Sequence, residues 1–312
     1  MASVGGFTEL VGCRLPLQLA SLGGPIGTPA LAAAVSEAGG LGTIPNPSSA
    51  AEVEQAMEAA RALTSRPIAI GFLIPFVSRE AVAAAAVSAD VVEFFYGDPD
   101  PELVALAGSG GAVVGWQAGS AAECAAAESA GCGYVAIQGV EAGGHVRGTQ
   151  RLDEALEQTL AAVEVPVVAA GGIGTAERVS ELLAAGADAV RIGTRFVAAE
   201  ESDAHPAYVA SLIRASRDDT VLTGAFENGW PDAPHRVLAS AVTAAERLVG
   251  RIVATVGPRE LPAFSSVPPT RQAEGEIEAM AMYAGESVDA VTASRPAAEI
   301  VAELTAGARS DR

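Results

Sequence analysis

Short apolar segments recur through the first two thirds of the chain, each bounded by glycine, proline or helix-capping residues. They are four to seven residues long, which is typical of buried strands and too short for buried helices. Alanine-rich segments of helical length separate them, so that successive strands start 21 to 32 residues apart. The eight predicted strands are Leu15–Ala20, Leu41–Ile44, Pro67–Leu73, Val91–Phe95, Ala112–Gln117, Tyr134–Ile137, Pro166–Ala169 and Ala189–Ile192.

Capping residues mark where the intervening helices begin and end. Thr28 followed by Pro29 offers an N-cap with proline at the first helical position, and Gly39 ends that helix. Alternating strands and helices require parallel pairing, because each crossover between parallel strands needs a helix. Eight such units predict an α/β fold of the (β/α)₈ TIM barrel type. A doubly wound sheet is the alternative, but it more often has about five or six strands and a switch point.

The alternation ends near residue 200, which predicts three parts. Residues 1–204 form the barrel and carry the phosphate or cofactor site. Residues 205–295 form a mainly helical cap subdomain over the barrel mouth, with helices at Ala239–Thr255 and Glu274–Tyr283. Residues 296–312 form a C-terminal helix that returns to the barrel.

The formal net charge is −19, and all 19 basic residues are arginine, so the chain has no lysine. A sequence pI near 4.5 argues against nucleic acids and membrane surfaces as partners, because both require a basic footprint. The absence of lysine excludes an imine-forming lysine, a pyridoxal-phosphate attachment site and a Walker A loop. The remaining expectation is an enzyme that acts on a small molecule.

Half of the residues are hydrophobic and only 4% are aromatic, which suits helices packed closely on a sheet. No apolar run approaches the ~20 residues needed to cross a bilayer. Residues 1–8 lack the basic and apolar regions of a signal peptide, so we expect a cytoplasmic protein. The spacings of Cys13, Cys124 and Cys132 favour neither a disulfide nor a metal site, and no metal is expected.

A glycine-rich loop after the sixth predicted strand delivers one of only three histidines. The apolar run Tyr134–Ile137 leads into Gln138, and the paired glycines Gly143 and Gly144 then precede His145. Adjacent glycines let backbone approach a ligand closely. In a parallel barrel the carboxyl ends of the strands carry the active site, so His145 is the candidate catalytic residue.

Two further glycine loops follow the seventh and eighth predicted strands. They are Ala169–Gly174 and Gly193–Phe196. In a barrel these two positions commonly hold a phosphate group, through backbone N–H groups and a helix N-terminus. Thr194 could add a hydroxyl, and Arg195 either a charge or a salt bridge. This pattern fits FMN or a phosphorylated substrate equally well.

These motifs together resemble the nitronate monooxygenases, formerly called 2-nitropropane dioxygenases, which are FMN-dependent. The resemblance covers nearly the whole chain. The segments that carry it are Thr28–Ser36, Ala38–Gly42, Gln138–His145, Pro166–Ile173, Gly193–Phe196, Gly229–Arg236 and Met282–Ser287.

The resemblance implies FMN at the barrel mouth, a small nitroalkane-type substrate, and O₂ as the oxidant. His145 would face the substrate over the flavin, either as a base or as a group that orients the nitronate. Tyr283 and His235 would contact the substrate. Homodimerisation is left open. The implied cofactor-binding residues are Ala20, Ser21, Leu22, Gly71, Gln138, Gly143, Gly144, Gly171, Gly172, Gly193 and Thr194.

Three residues near the implied flavin depart from the family pattern. Ser21 and Leu22 stand where relatives usually have Pro-Met, and Gly71 stands where many have an asparagine that hydrogen-bonds the cofactor. Two alternatives therefore stay open. One is an FMN-dependent enoyl-thioester reductase that uses NAD(P)H. The other is a barrel of this kind with lyase, isomerase or specialised biosynthetic activity and weak or lost flavin binding.

Overall fold

Eight parallel strands surround a common axis in the computed structural model, which describes residues 6–307. The described residues form fourteen strands in all, of which these eight are a part. In chain order the fourteen are β1 (Leu17–Leu19), β2 (Gly42–Pro45), β3 (Ile68–Leu73), β4 (Val91–Phe95), β5 (Val113–Ala118), β6 (Tyr134–Gln138), β7 (Gly144–His145), β8 (Val167–Ala170), β9 (Ala189–Ile192), β10 (Thr220–Thr223), β11 (His235–Leu238), β12 (Ile252–Val256), β13 (Arg259–Pro262) and β14 (Ala273–Gly275).

The barrel consists of β1 to β6, β8 and β9. From β2 onward each of these strands pairs in parallel with the next, and β9 pairs with β1. Leu41, just before β2, closes the ring. Its N–H donates to the Leu17 carbonyl at 2.8 Å, and its carbonyl accepts from the Leu19 N–H at 2.9 Å. The predicted (β/α)₈ barrel is therefore confirmed.

All eight predicted strands are confirmed, and their bounds differ from the predicted ones by at most two residues. The predictions Pro67–Leu73 and Pro166–Ala169 each started one residue early. Proline has no N–H to contribute to a strand ladder, so a proline at the edge of an apolar run tends to precede the strand.

Helices connect the barrel strands. Thr28 caps the second helix by accepting from the Leu31 N–H at 2.9 Å, and Gly39 ends it at a φ of 110°, as the capping pattern predicted. The helices are α1 (Gly6–Val11), α2 (Pro29–Ala38), α3 (Ala50–Arg61), α4 (Arg79–Ser88), α5 (Pro101–Gly108), α6 (Ala121–Ser129), α7 (Leu152–Leu160), α8 (Ala176–Ala184), α9 (Thr194–Val197), α10 (Pro206–Arg214), α11 (Ala239–Glu246) and α12 (Ala297–Leu304). No helix within residues 6–307 has the length and apolarity needed to cross a membrane.

The segment after the barrel is mixed in structure, which corrects the prediction of a mainly helical cap. It contains α10 and α11 together with five strands. The strands β12, β13 and β14 form one three-stranded sheet, and β10 and β11 form another with β7 from the barrel loop. The predicted helix Ala239–Thr255 ends at Glu246, because the β-branched run that starts at Ile252 forms β12. The predicted helix Glu274–Tyr283 is absent. Gly275, at a φ of 124°, lies against the β12 backbone, where a side chain would collide with the Val253 carbonyl.

The C-terminal helix α12 packs against α2, α8 and α9. Arg195, on α9, ties it to the barrel by donating to Glu303 at 2.9 Å. The loop after β6 contributes β7 to the sheet of β10 and β11, so the barrel and the following segment share one sheet. The predicted boundaries at residues 204 and 295 stay predictions.

Helix α1 closes the amino-terminal end of the barrel. Its Phe7 is fully buried and meets the Tyr134 ring edge to face, with ring centroids 5.2 Å apart. Phe7 and Val11 form a cluster with inward-facing residues of the barrel strands, among them Val91 and Val168. The open end of the barrel is therefore the carboxyl end of its strands.

We expect Phe7→Ala to lower the free energy of unfolding by about 3–5 kcal/mol, because it removes a large buried ring and leaves a cavity. Leu10→Ala on the same helix is the control. Leu10 is 38% exposed, so its truncation should change stability by no more than about 0.5 kcal/mol. Urea unfolding followed by circular dichroism measures both. Equal losses in the two variants would show that α1 does not close the barrel through Phe7.

Candidate active site

A cavity of about 460 Å³ opens at the carboxyl ends of the barrel strands, where parallel barrels place their active sites. Its size lies within the range of small-molecule and cofactor pockets, about 300 to 1,000 Å³. Loops after the barrel strands form its lower wall, and the segment after the barrel forms its upper wall. The predicted site residues that line it are Ala20, Ser21, Leu22, Gly71, Gln138, Gly143, Gly144, His145, Gly171, Gly172, Gly193, Thr194 and Tyr283.

His145 reaches the cavity on β7, the two-residue strand in the loop after β6. This strand pairs in antiparallel register with β11, which puts His145 opposite His235. Gln138, at the end of β6, holds the loop from below. Its Nε2 donates to the His145 carbonyl at 3.0 Å, and its Oε1 accepts from the Arg147 N–H at 3.2 Å. Gln138 therefore lines the cavity but uses its amide to position the histidine loop.

The His145 ring is enclosed by aromatic side chains. Trp230 stacks on it with ring centroids 3.8 Å apart, and the rings of Tyr283 and Tyr96 lie 5.5 and 5.9 Å away. Burial lowers the pKa of His145 to about 3, and the neighbouring His235 adds to this shift. No group in residues 6–307 hydrogen-bonds the buried Nε2 of His145. A neutral imidazole with a free nitrogen at a cavity can donate or accept one hydrogen bond to a bound molecule.

His235 does not line the cavity, which corrects its predicted contact with substrate. Its side chain is fully buried, and the backbone engages both ring nitrogens. The Nε2 accepts from the Phe226 N–H at 3.1 Å, so Nδ1 carries the proton and donates to the Ala233 carbonyl at 2.9 Å. His235 packs behind His145, with ring centroids 5.3 Å apart, and acts as structural support.

Backbone contacts fix the glycines before His145. A Cβ at Gly143 would lie 2.4 Å from the Gly285 nitrogen, so only glycine permits this approach. The Glu286 N–H donates to the Glu141 carbonyl at 2.9 Å, which joins the two loops. The Glu141 carboxylate accepts from the Leu152 N–H at 3.0 Å at the start of α7. Glu141 thus secures the loop and does not contact His145.

The two predicted phosphate loops line the cavity beside the loop that carries His145. Gly171 and Gly172 have φ values of 110° and 67°, a conformation that L side chains rarely adopt. Thr194 follows β9 and accepts from the Gly285 N–H at 3.0 Å. Arg195 forms the salt bridge that the sequence allowed, since it donates to Gly174 O and to Glu303 and does not line the cavity. The lining at these loops is therefore neutral backbone and hydroxyl.

Ser21 and Gly71, the unusual residues, are neighbours. A Cβ at Gly71 would lie 2.8 Å from the Ser21 Oγ and 3.1 Å from its Cβ. The Ser21 side chain thus occupies the space that a larger residue at position 71 would need. The cavity keeps a hydrogen-bonding hydroxyl there, supplied from the loop after β1.

The cavity floor contains polar residues that the sequence analysis missed. Glu93, Gln117 and Arg191 project inward from β4, β5 and β9 and line the cavity from below. Glu93 and Arg191 form a buried ion pair. The signal that could have found them is a charged residue in the middle of an otherwise apolar strand, because such a residue must face a partner inside the barrel.

The upper wall is mostly apolar and was also missed. It includes Trp230, Val267 and Pro268, and Phe76 from the barrel loop after β3 packs edge to face on Trp230. The Trp230 ring faces both His145 and the cavity. At the rim, Arg259 is exposed, and among the described residues no carboxylate pairs with it. A molecule in this cavity would meet a polar floor and apolar upper wall.

Comparison with known proteins identifies relatives over most of the chain. The family model described as nitronate monooxygenase matches residues 6–81 and 74–307. The nitronate monooxygenase of Pseudomonas aeruginosa is 33% identical over 288 residues, covering 72% of this chain and 79% of that protein. A second relative, from Rhodococcus jostii, is 32% identical and covers 74% of this chain and 64% of its own length. It is named (3aS,4S,5R,7aS)-5-hydroxy-7a-methyl-1-oxo-octahydro-1H-indene-4-carboxyl-CoA dehydrogenase.

One solved structure resembles nearly the whole chain. The nitroalkane oxidase of Streptomyces ansochromogenes superimposes with a TM-score of 0.80 at 29% identity, covering 96% of this chain and 97% of that one.

We expect stability to fall as the pH is lowered from about 6.5 toward 3, partly because of His145. Its ordinary pKa is 6.5 and its folded pKa about 3, so between these values the unfolded chain binds a proton that the folded chain does not. The contribution of His145 to the free energy of unfolding is therefore complete above its ordinary pKa and is lost as the pH falls toward its folded pKa. Urea unfolding at a series of pH values measures the slope.

His145→Phe should reduce the slope of the free energy of unfolding against pH, between pH 3 and 6.5, by about 1.4 kcal/mol per pH unit, the value for one proton. Tyr96→Phe is the control, because it alters a neighbouring ring without removing a group that titrates in this window. An unchanged slope in His145→Phe would show that the folded protein does not suppress protonation of this histidine.

Proposed function

This chain belongs to the nitronate monooxygenase family, and on that premise we propose that it oxidises alkyl nitronates with O₂. Family membership makes it an FMN-dependent oxidoreductase. The observation that carries the substrate proposal is the neutral His145 ring at the cavity, with its Nε2 unpartnered. A nitronate carries its negative charge on two oxygens, which are acceptors for a neutral N–H donor.

The cavity lining fits FMN. The neutral loops at Gly171, Gly172 and Gly193, with the Thr194 hydroxyl, would hold a phosphate through backbone N–H groups, as barrels commonly do. Gly143 and Gly144 would allow the cofactor to lie close to backbone. When bound, FMN supplies the redox chemistry by accepting electrons from the substrate and passing them to O₂.

Residues from the strand ends would complete the cofactor site. Ala20, Ser21, Leu22 and Gly71 line the side of the cavity above β1 and β3. The Ser21 hydroxyl beside Gly71 would supply the hydrogen bond that an asparagine at position 71 supplies in many relatives. Gln138 would act through the histidine loop, because its amide already holds the His145 carbonyl.

We assign His145 an orienting role. Burial beside apolar rings keeps its pKa near 3, so in the free enzyme it is a weak acceptor of a substrate proton at pH 7. A neutral imidazole still donates a hydrogen bond, and that bond would align the nitronate oxygens over the flavin. Tyr283 would shape the same wall, since its hydroxyl donates to the Ser266 carbonyl at 2.8 Å. The apolar residues around Trp230 would receive the alkyl group.

The second candidate is an FMN-dependent oxidoreductase of acyl thioesters, the enoyl-thioester reductase being the version that uses NAD(P)H. Two observations favour it. The Rhodococcus jostii relative is named as a carboxyl-CoA dehydrogenase, and unpaired Arg259 at the rim could meet an anionic carrier. The net charge of −19 argues against an acidic carrier protein, because like charges repel.

A third candidate is a non-redox lyase, isomerase or biosynthetic enzyme with weak or lost flavin binding. Its motive is the unusual set Ser21, Leu22 and Gly71. The complementary fit of Ser21 and Gly71 speaks for a retained site, which makes this candidate the least favoured. The cytoplasmic location and homodimerisation stay predictions.

We expect the purified protein to show a bound-flavin absorption spectrum, either as isolated or after incubation with FMN. With FMN bound, O₂ consumption should follow the addition of an alkyl nitronate without any nicotinamide. O₂ uptake absent with nitronates, combined with flavin reduction by NAD(P)H, would favour the thioester candidate. A colourless protein that gains no thermal stability from FMN would favour the non-redox candidate.

His145→Ala should lower kcat/KM for a nitronate by about 10²–10³, the usual cost of removing a donor to a developing or bound oxyanion. His145→Gln keeps an N–H donor and should lose much less. Stopped-flow reduction of the bound FMN by nitronate separates this step from the reaction with O₂. If both variants lose kcat/KM equally, and kcat/KM of the unchanged protein rises with pH as a proton acceptor is deprotonated, His145 acts instead as a base.

A further inference from the structure

An ion pair inside the barrel lies directly under the cavity and has no part in the substrate contacts proposed above. Glu93 on β4 and Arg191 on β9 come from strands on opposite sides of the eight-stranded ring. Their residues are 2% and 3% exposed, and the Arg191 Nη2 donates to the Glu93 Oε2. Buried charges in a strand interior are costly unless they are paired and fully hydrogen-bonded.

Neutral side chains surround the pair and satisfy most of its hydrogen bonds. Gln18 bridges both partners, since its Nε2 donates to the Glu93 Oε2 at 2.9 Å and its Oε1 accepts from Arg191 at 2.8 Å. The Tyr134 hydroxyl also donates to the Glu93 Oε2, at 2.6 Å. Burial raises the pKa of Tyr134 well above its ordinary value, so it is a neutral donor. Gln117 accepts from the Arg191 Nη1.

The network is open on its upper side. Glu93, Gln117 and Arg191 all line the cavity, so no other layer of side chains separates them from a molecule bound there. The buried Nε of Arg191 has no hydrogen-bond acceptor among residues 6–307. An unsatisfied buried donor on a charged group requires an explanation, because such groups are rare in folded proteins. An acceptor atom of a bound molecule would satisfy it.

Stability alone is a weak explanation for the pair. Replacing a buried ion pair by well-packed apolar residues is often neutral or stabilising. The other inward-facing positions at the closed end of the barrel are apolar, as Ala69, Val91 and Val168 show. Among the inward-facing residues named here, the charged ones therefore lie at the cavity floor, and the apolar ones lie at the closed end of the barrel.

We propose that Glu93 and Arg191 set the reduction potential of the bound cofactor. This inference rests on the proposed FMN-dependent function. Reduction adds two electrons and fewer compensating protons to the ring system near neutral pH, so the reduced ring carries more negative charge. A cation near the ring would favour the reduced form, and an anion would oppose it. Both charges would act strongly because they are buried and line the cavity, where solvent screens them little. The electrons come from the oxidised substrate and pass to O₂.

The two charges have opposite signs, so their removal has opposite effects. Glu93→Gln keeps the shape of the side chain and removes the anion, which raises the potential. Arg191→Gln removes the cation and lowers it. The double variant removes both charges and returns the potential toward that of the unchanged protein. A purely structural role predicts instead that both single variants loosen the cofactor and shift the potential in the same direction, toward that of free FMN.

The test is a reductive titration of FMN-loaded full-length protein against a reference dye, together with the Kd of oxidised FMN from fluorescence quenching. We expect each single variant to change the ratio of oxidised to reduced FMN affinity about tenfold or more, which is about 30 mV or more for a two-electron couple. Asp188→Asn is the matched control. Asp188 is a buried carboxylate immediately before β9, at the closed end of the barrel, and it accepts from the Val167 N–H at 2.9 Å.

Removal of one partner from a buried pair destabilises proteins, so circular dichroism checks each variant for folding. If Arg191→Gln does not fold, Glu93→Gln and the double variant are compared instead. We then expect the reduction potential of Glu93→Gln to be higher than that of the double variant. Shifts of the same sign, or unchanged potentials with FMN bound, would overturn this inference and leave the proposed function standing. Failure of the unchanged protein to bind FMN would overturn the proposed function, and this inference with it.

Discussion

The pairing of β7 with β11 is the contact on which the cavity depends. It joins a two-residue strand from the barrel loop to a strand of the following segment, and it holds His145 against His235. Gln138 holds the loop after β6 from the barrel side, and this pairing fixes the same loop against the segment that carries Trp230 and Tyr283. The same sheet brings the Gly285 backbone against Gly143, and Gly285 also donates to Thr194. One small sheet therefore links the histidine loop, the upper wall and a phosphate loop.

This arrangement separates two kinds of surface. The barrel contributes a polar floor, because inward side chains at the strand ends can hydrogen-bond across the ring. The following segment contributes an apolar upper wall, in which Trp230 stacks on His145 and lowers the polarity around it. The low polarity explains why the imidazole stays neutral, since burial disfavours its charged form. A flat molecule with one polar edge and one apolar face suits such a space.

Most of the barrel could be predicted from the sequence, and most of the upper wall could not. The strands were found because buried parallel strands are short apolar runs between helical segments, and this signal is local. The strands of the second part are three to five residues long, and most of them have exposed or half-buried positions, so they lack the continuous apolar runs of the barrel strands. The strand β7 is only two residues long and contains a glycine, which gives no apolar signal at all. Alanine-rich composition near Ala239 and Glu274 therefore predicted helices that extend too far or do not form.

The two histidines of the β7–β11 pair show how site residues differ from structural ones of the same type. Both are buried, and both follow or precede glycine- or proline-rich segments, so the sequence did not separate them. His235 has both ring nitrogens bound by backbone, which leaves it nothing to offer a ligand. His145 has a buried nitrogen without a partner beside a cavity. The same distinction applies to the arginines. Arg195 donates to the Gly174 carbonyl and to the Glu303 carboxylate, whereas the Arg191 Nε has no acceptor among residues 6–307 and lies under the cavity. An unsatisfied buried donor or acceptor that also lines the cavity, more than residue type or sequence position, is what marks the groups that await a ligand.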